Sequence, residues 1–203
     1  MRNRHEFAEY LKQNNYKIGI EIGSYKGNYA RYLLDNWEGY LYLVDIWKQL
    51  PQEEYTDISN QENPKEIICE VFDNLQGYED RTTLIRTNSN SASRMFQDDF
   101  FDFIYIDANH KCKYVMNDLR MWYPKLKPGG VFAGHDWIAD YNKELADGNG
   151  DIHVWTYDNN DPENTTYVGL FGVNKAVKEF CNFLDRKFET TTEEYFQTWY
   201  FKK

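Results

Sequence analysis

Residues 18–27 read IGIEIGSYKG, and no other stretch restricts the architecture of this chain as much. Ile18, Ile20 and Ile22, with Gly19 and Glu21 between them, predict a short buried strand. The strand breaks at Gly23-Ser24-Tyr25-Lys26-Gly27. An amphipathic helix follows, with Tyr29, Ala30, Leu33, Leu34 and Trp37 on one face. A strand, a glycine turn and a helix N-terminus make a ligand cradle. Gly23 lets the backbone turn sharply and approach a ligand, and Gly27 lets the helix pack closely. Free N–H groups in the first helical turn favour a carboxylate or phosphate. The competing reading is an ordinary strand-to-helix turn.

The rest of the chain alternates in the same way. A short helix over 4–15 precedes the first strand, with Phe7, Ala8 and Leu11 facing inward. Residues 40–45 (YLYLVD) predict a second strand ending in an acid. A polar loop over 48–63 leads to a helix over 64–76, with Ile67, Ile68, Val71, Phe72 and Leu75 at helical spacing. Residues 82–86 predict a third strand, followed by a polar turn and a brief helix near 91–96. Residues 101–107 (FDFIYID) predict a fourth, again ending in an acid. A helix over 112–126 stops at Lys127-Pro128-Gly129-Gly130, and 131–136 (VFAGHD) predict a fifth strand. Residues 137–168 are rich in Asp, Asn and Gly and are expected to form a long loop, with Trp137, Tyr141, Trp155 and Tyr157 in it. A helix over 173–186 and two strands near 187–191 and 195–201 close the chain. The expected fold is one α/β domain over 1–203. It is a doubly wound, mostly parallel seven-stranded sheet with a C-terminal antiparallel hairpin.

Composition limits what such a domain does. With 33 Asp+Glu against 23 Lys+Arg, the net charge of −10 opposes a phosphate backbone, so nucleic acid is not an expected partner. The three cysteines are far apart and form no CxxC pair, so neither zinc nor a disulfide framework is expected. The first residues, MRNRHEFAEYLKQNNY, carry no apolar signal-like run, and no segment approaches the length of a membrane span. These features predict a soluble protein of a reducing compartment, the cytoplasm.

Polar residues stand at five strand ends: Gly23, Asp45, Asn88-Ser89, Asp107 and His135-Asp136. In a doubly wound sheet, ligands bind at that edge. Asp45 lies 22 residues after Gly23, close to the spacing of about 20 at which an acid takes a ribose diol. A dinucleotide-binding dehydrogenase would favour GxGxxG, yet Glu21 stands where its first glycine belongs. ExGxxxG instead resembles the first motif of class I S-adenosylmethionine-dependent methyltransferases. The likeness extends through LYLVDIW, IDANHKCKYVMNDLRMWYPKLKPGGVFAGHDW, GVNKAVKEF and the closing TWYFKK. These segments resemble a small-molecule branch that includes sugar O-methyltransferases. The resemblance implies that Glu21, Gly23, Ser24 and Gly27 hold the methionine end of S-adenosylmethionine. It places Asp45 at the ribose and Ser89, with Asn88, at the adenine; Asp107 lines the same cofactor site. Trp47 either covers the adenine or fills the core.

Asp107, His110, His135 and Asp136 form the expected reaction edge. A sugar hydroxyl has a pKa of about 16, so its methylation needs a base, a metal or both. His110 stands where metal-dependent relatives carry a basic lysine, and a histidine of ordinary pKa accepts a proton at neutral pH. Asp107, His110 and His135 are the candidate catalytic residues. Asp107 and Asp136 are candidate ligands for Mg²⁺ or another divalent cation. Trp137 occupies the position where such relatives carry Asp or Asn, with Asp140 or His135 as substitutes. The alternative is that Asp136 only orients His110 or His135. Asp98, Asp99 and Asp102 are expected to be solvated loop charges. The expected activity is O-methylation of a small polar acceptor, first a sugar in a glycan or sugar conjugate. A phenolic or other small metabolite is the alternative acceptor, and a non-catalytic S-adenosylmethionine-binding module the alternative class. A nicotinamide-dependent oxidoreductase ranks third. Self-association stays open.

Overall fold

A computed structural model describes residues 1–139, 146–158, 161–193 and 195–203, without the side chains of residues 58, 156–158 and 161–167. Five parallel strands form its centre: β1 (Ile18–Ile22), β2 (Tyr40–Asp45), β3 (Thr82–Arg86), β4 (Phe101–Ile106) and β5 (Leu126–Trp137). Two further segments, β6 (Ile152–Asp158) and β7 (Asp161–Phe171), pair only with each other. The last two, β8 (Glu189–Thr190) and β9 (Gln197–Lys202), complete the sheet, with β9 antiparallel to β5. The order β3-β2-β1-β4-β5-β9-β8 puts β1 and β4 side by side in the middle. Chain direction from β1 runs first one way and then the other across the sheet, so a crevice opens between the ends of β1 and β4.

Side chains alternate between two apolar layers, as a strand period of two requires. Ile20, Ile22, Ile104 and Ile106 face α4 (Ser89–Ser93), α5 (Cys112–Trp122) and α6 (Val173–Phe183), whose Ala92, Val115, Leu119, Trp122, Val177 and Phe180 fill that side. Leu41, Leu43, Phe103 and Tyr105 face α1 (Glu6–Gln13), α2 (Asn28–Asn36) and α3 (Pro64–Leu75), which supply Phe7, Leu11, Leu33, Leu34, Ile67 and Val71. The start of α3 follows from its sequence. Asn63 accepts a hydrogen bond from Lys65 N, and Pro64 occupies a first-turn position that needs no N–H.

Four details depart from the sequence expectation. Lys127–Gly130 does not separate α5 from β5: Leu126 already pairs with Phe101, and the strand passes an irregularity before Val131 joins Phe103. Residues 152–158 and 161–171 form an antiparallel ribbon where a loop was expected. Trp137 is the last residue of β5; it is buried and packs 4.9 Å from Phe188, so it is not a ring presented to a ligand. Asp102 is no solvated charge, because it accepts Lys17 N and Ile18 N at 2.8 Å and pairs with Lys127. Asp98 and Asp99 do make surface pairs, with Lys125 and Lys203. Asp140 and Tyr141 lie outside the described residues, as does the side chain of Tyr157. Among the described residues, no helix is long and apolar enough to cross a membrane.

Candidate active site

The cradle forms as the glycines dictate. Gly23 adopts φ +90°, and a Cβ there would lie 2.0 Å from the carbonyl oxygen of Asp107. Only glycine lets the two central strand ends approach so closely. Gly23 N donates to Val44 O and Asp107 N donates to Ile22 O, both at 2.8 Å, which ties three strand ends together. Gly27 begins α2 at φ +77°. Two cavities meet at Gly23, Tyr25 and Asp107. One, of about 600 Å³, lies along Asp45, Trp47, Asn88, Ser89, His110 and Asp118. The other, of about 370 Å³, lies against Arg4, Glu21, Ser24, Asn28 and Tyr29.

Glu21 is 2% exposed, and burial, reinforced by Asp107 and opposed by Arg4, pushes its carboxyl up to about 8. Its Oε2 has no hydrogen-bond partner. Such an atom costs free energy unless something binds it. Asp45 is set by the backbone: its two oxygens accept from Trp47 N at 2.8 Å and Tyr25 N at 2.9 Å. Asp45 also lines the larger cavity. Burial raises its pKa, and those N–H groups oppose the shift. Trp47 is buried in the core and also lines the large cavity. Its Nε1 donates to Tyr25 O at 2.8 Å.

At the far end of the large cavity, Asn88 and Ser89 are in place but already engaged. Asn88 caps α4 by accepting from Ser91 N at 2.9 Å. The Ser89 hydroxyl donates to Asp118 Oδ1 and accepts from Trp122 Nε1 at 2.8 Å. Asp118, which sequence reasoning missed, is 4% exposed, and burial pushes its carboxyl up to about 7. A signal was present: Asp118 interrupts the apolar stripe Val115, Leu119 and Trp122 of α5.

The four residues of the expected reaction edge come together at the ends of β4 and β5. His110 Nε2 lies 2.7 Å from Asp136 Oδ2 and 3.7 Å from Asp107 Oδ1. His135 Nδ1 lies 3.3 Å from Asp136 Oδ1 and 3.9 Å from Asp107 Oδ2. A third acid, missed in the sequence, completes the group: Asp57 Oδ2 is 2.7 Å from His110 Nδ1. Neither close contact of the ring is an aligned hydrogen bond, so both ring nitrogens stay without a directional partner. Burial opposes a charge on His110, but Asp136, Asp107 and Asp57 together hold its pKa well above the ordinary value. The surrounding carboxylates thus favour the charged form of the ring. Burial likewise opposes charge on Asp136, while His110 and His135 hold its pKa well below the usual range.

The β6–β7 ribbon is fastened to this edge. The Phe171 ring stacks on His110 with centroids 4.4 Å apart. Gly172 N donates to His110 O at 2.8 Å, and Leu170 N donates to Thr56 Oγ1 at 3.3 Å. Gly169 lies against Asp57, where a Cβ would meet Oδ1 at 2.1 Å. The segment carrying Asp57 and the ribbon thus pack against each other and against His110.

Comparison with known proteins agrees with this geometry. A family model described as a methyltransferase domain matches residues 20–137. No curated protein matches the sequence. Among solved structures, the O-methyltransferase of Bacillus cereus in complex with S-adenosylhomocysteine is 13% identical, with 98% of this chain and 80% of that one covered at a TM-score of 0.61. TomG of Streptomyces achromogenes, an O-methyltransferase involved in tomaymycin synthesis and solved with S-adenosylmethionine, is 12% identical. The match covers 98% and 78% of the two chains at a TM-score of 0.59. Spermidine synthase of Thermotoga maritima shares the fold at 16% identity and a TM-score of 0.55, covering 99% and 60%. The sheet order, the cradle and the family match define a class I S-adenosylmethionine-dependent methyltransferase. The chain belongs to the methyltransferase-domain family.

Proposed function

We propose that this methyltransferase acts on a hydroxyl of a small polar acceptor, a sugar of a glycan or sugar conjugate before a phenol. The grouping of Asp57, Asp107 and Asp136 around His110, one step from Gly23, carries the reading. A nitrogen or thiol acceptor would not need so much machinery for moving a proton. An alcohol does, because its oxygen must lose a tightly held proton as the new bond forms.

The residues fit the cofactor. The backbone at Gly23 leaves room that a Cβ would fill, and Glu21 keeps an unsatisfied oxygen for the methionyl ammonium. Asp45 would take the ribose hydroxyls, and Asn88, Ser89 and Trp47, which line the same cavity, would border the adenine. Ser24 and Gly27 shape the turn between strand and helix. Methyl transfer is then an in-line displacement. The acceptor oxygen bonds to the methyl carbon, the C–S bond breaks, its electron pair stays on sulfur, and the hydroxyl proton passes to the His110–His135 edge.

The edge also fits a divalent cation. Asp107, His110 and Asp136 each offer one ligand atom, all within 4.8 Å of one another. In this proposal Asp107 and Asp136 hold the cation, because carboxylate oxygens suit Mg²⁺. A cation there would lower the acceptor's pKa and fix its oxygen. With the two carboxylates so neutralised, His110 loses the attraction that keeps it protonated and becomes free to take a proton. His135 stays beside both acids as an orienting partner. In this reading the acceptor enters the larger cavity beside His110, and residues 137–168 are the acceptor-covering segment of a single 1–203 domain.

Exhaustive chelation is the test. It should abolish methylation of a hydroxylated acceptor, added Mg²⁺ should restore it, and S-adenosylhomocysteine binding should be unchanged. Full activity after chelation would leave Asp136 with only the task of holding His110.

A further inference from the structure

We propose that Arg4 binds the α-carboxylate of the cofactor's methionyl end, so that the N-terminal segment, outside the matched residues 20–137, completes the cofactor site. The assignment rests on the cofactor reading given above and adds a recognition element that the glycine motif does not contain.

The smaller cavity holds two buried side-chain atoms of opposite character with no partner, Glu21 Oε2 and Arg4 Nε. They belong to an acid and a base that make no ion pair with each other. The two atoms, Glu21 Oε2 and Arg4 Nε, are costly to bury without partners, unless a ligand supplies both. An α-amino acid is such a ligand, carrying an ammonium and a carboxylate on one carbon. Glu21 suits the ammonium and Arg4 the carboxylate, which guanidinium N–H groups match in shape as well as charge. The cavity joins the larger one at Gly23 and Asp107, so an amino acid seated there can continue into a nucleoside lying along Asp45.

The other cations lining this cavity are less suited. Lys26 Nζ is engaged by Glu62 at 2.8 Å and Glu70 at 3.2 Å. His5 is exposed and set edge-on to Tyr32, 4.5 Å between centroids. Arg4 is held in place before any ligand arrives. Its guanidinium carbon lies 4.0 Å over the Tyr29 ring, and its Nη2 is 3.3 Å from Asp107 Oδ2. Nη1 stands 3.5 Å from His135 Nε2, and the Tyr29 hydroxyl donates to Arg4 O at 3.0 Å. These contacts leave Nε unused and fix the side chain, so little rotamer entropy is lost on binding. They also place the carboxylate receptor against Asp107 and His135.

The competing explanation is that Arg4 only neutralises Asp107. Titration calorimetry with S-adenosylhomocysteine and with 5′-methylthioadenosine separates the two, because the second ligand keeps the adenosine and sulfur but lacks the amino acid. In Arg4→Gln, S-adenosylhomocysteine should bind roughly 10- to 100-fold more weakly while 5′-methylthioadenosine stays within about threefold of wild type. Retained 5′-methylthioadenosine binding also shows that the variant is folded, and Arg4→Lys should recover part of the loss. Unchanged S-adenosylhomocysteine affinity would overturn the assignment, as would an equal loss for both ligands. Wild-type protein that bound neither ligand would contradict the cofactor reading, and this assignment with it.

Discussion

Replacing His110 with alanine is expected to lower kcat by roughly 10²–10⁴-fold while leaving S-adenosylhomocysteine affinity near wild type. The effect is large because the ring meets Asp57 on one side and Asp136 on the other, at 2.7 Å each. Its removal leaves Asp57 and Asp136 without the ring that lies between them and takes away the acceptor of the proton. The pH profile follows from the same contacts. Only the neutral ring accepts a proton, and the carboxylates hold its pKa well above the ordinary value. Without added cation, kcat should therefore rise with pH above the normal histidine range, and Mg²⁺ should move that rise to lower pH. The sign for stability is the reverse. A folded-state pKa raised above the unfolded one gives stabilisation that is complete below the unfolded value and lost as pH rises through the folded value. His110→Ala should show neither dependence. A variant with near-normal kcat would move the proton to His135.

Gly23→Ala should unfold the site as well as close it. The position combines φ +90° with a Cβ 2.0 Å from the backbone oxygen of Asp107, which directly follows β4 and cannot yield without disturbing the central strands. Left-handed strain alone costs about 1–3 kcal/mol, and the steric conflict adds to it. Gly27→Ala is the internal control. It has φ +77° but its nearest neighbour, Val71 Cα, is 3.7 Å away, so only the strain term remains. Urea unfolding should give a much lower midpoint for Gly23→Ala than for Gly27→Ala. Calorimetry should show S-adenosylhomocysteine binding lost in the first variant. Equal midpoints in the two would mean that the close approach of β1 to β4 is unimportant.

What the sequence made legible is what the backbone governs. Gly23, Asp45 and Asp107 could be placed because strand ends, a glycine turn and a ribose-length spacing are local signals, and the sheet then brings them to one edge. Asp57 and Arg4 gave no such signal. Asp57 reaches His110 from a polar stretch, and Arg4 reaches Asp107 across more than a hundred residues of chain, through packing on Tyr29. The upward pull on the His110 pKa was hidden for the same reason, since it depends on neighbours that the linear order does not reveal. The β6–β7 ribbon was masked by composition. Ile152 and Val154 alternate as a strand should, but the surrounding Asp, Asn and Gly residues suggested a loop. Trp137 was expected in the loop after the fifth strand, whereas the β5 pairing with Gln197 carries it into the core against Phe188.

The reaction proposed for the Asp107–His110–Asp136 edge is methyl transfer to an alcohol. Its most direct test measures S-adenosylhomocysteine formed from S-adenosylmethionine, with and without sugars, sugar conjugates and phenols, in the presence of Mg²⁺. The account predicts product formation that depends on a hydroxylated acceptor, yields one methyl ether per S-adenosylhomocysteine, and falls away in His110→Ala. Protein that binds S-adenosylhomocysteine yet forms none of it with any hydroxylated acceptor, with or without a divalent cation, would contradict the account and mark the chain as a binding module.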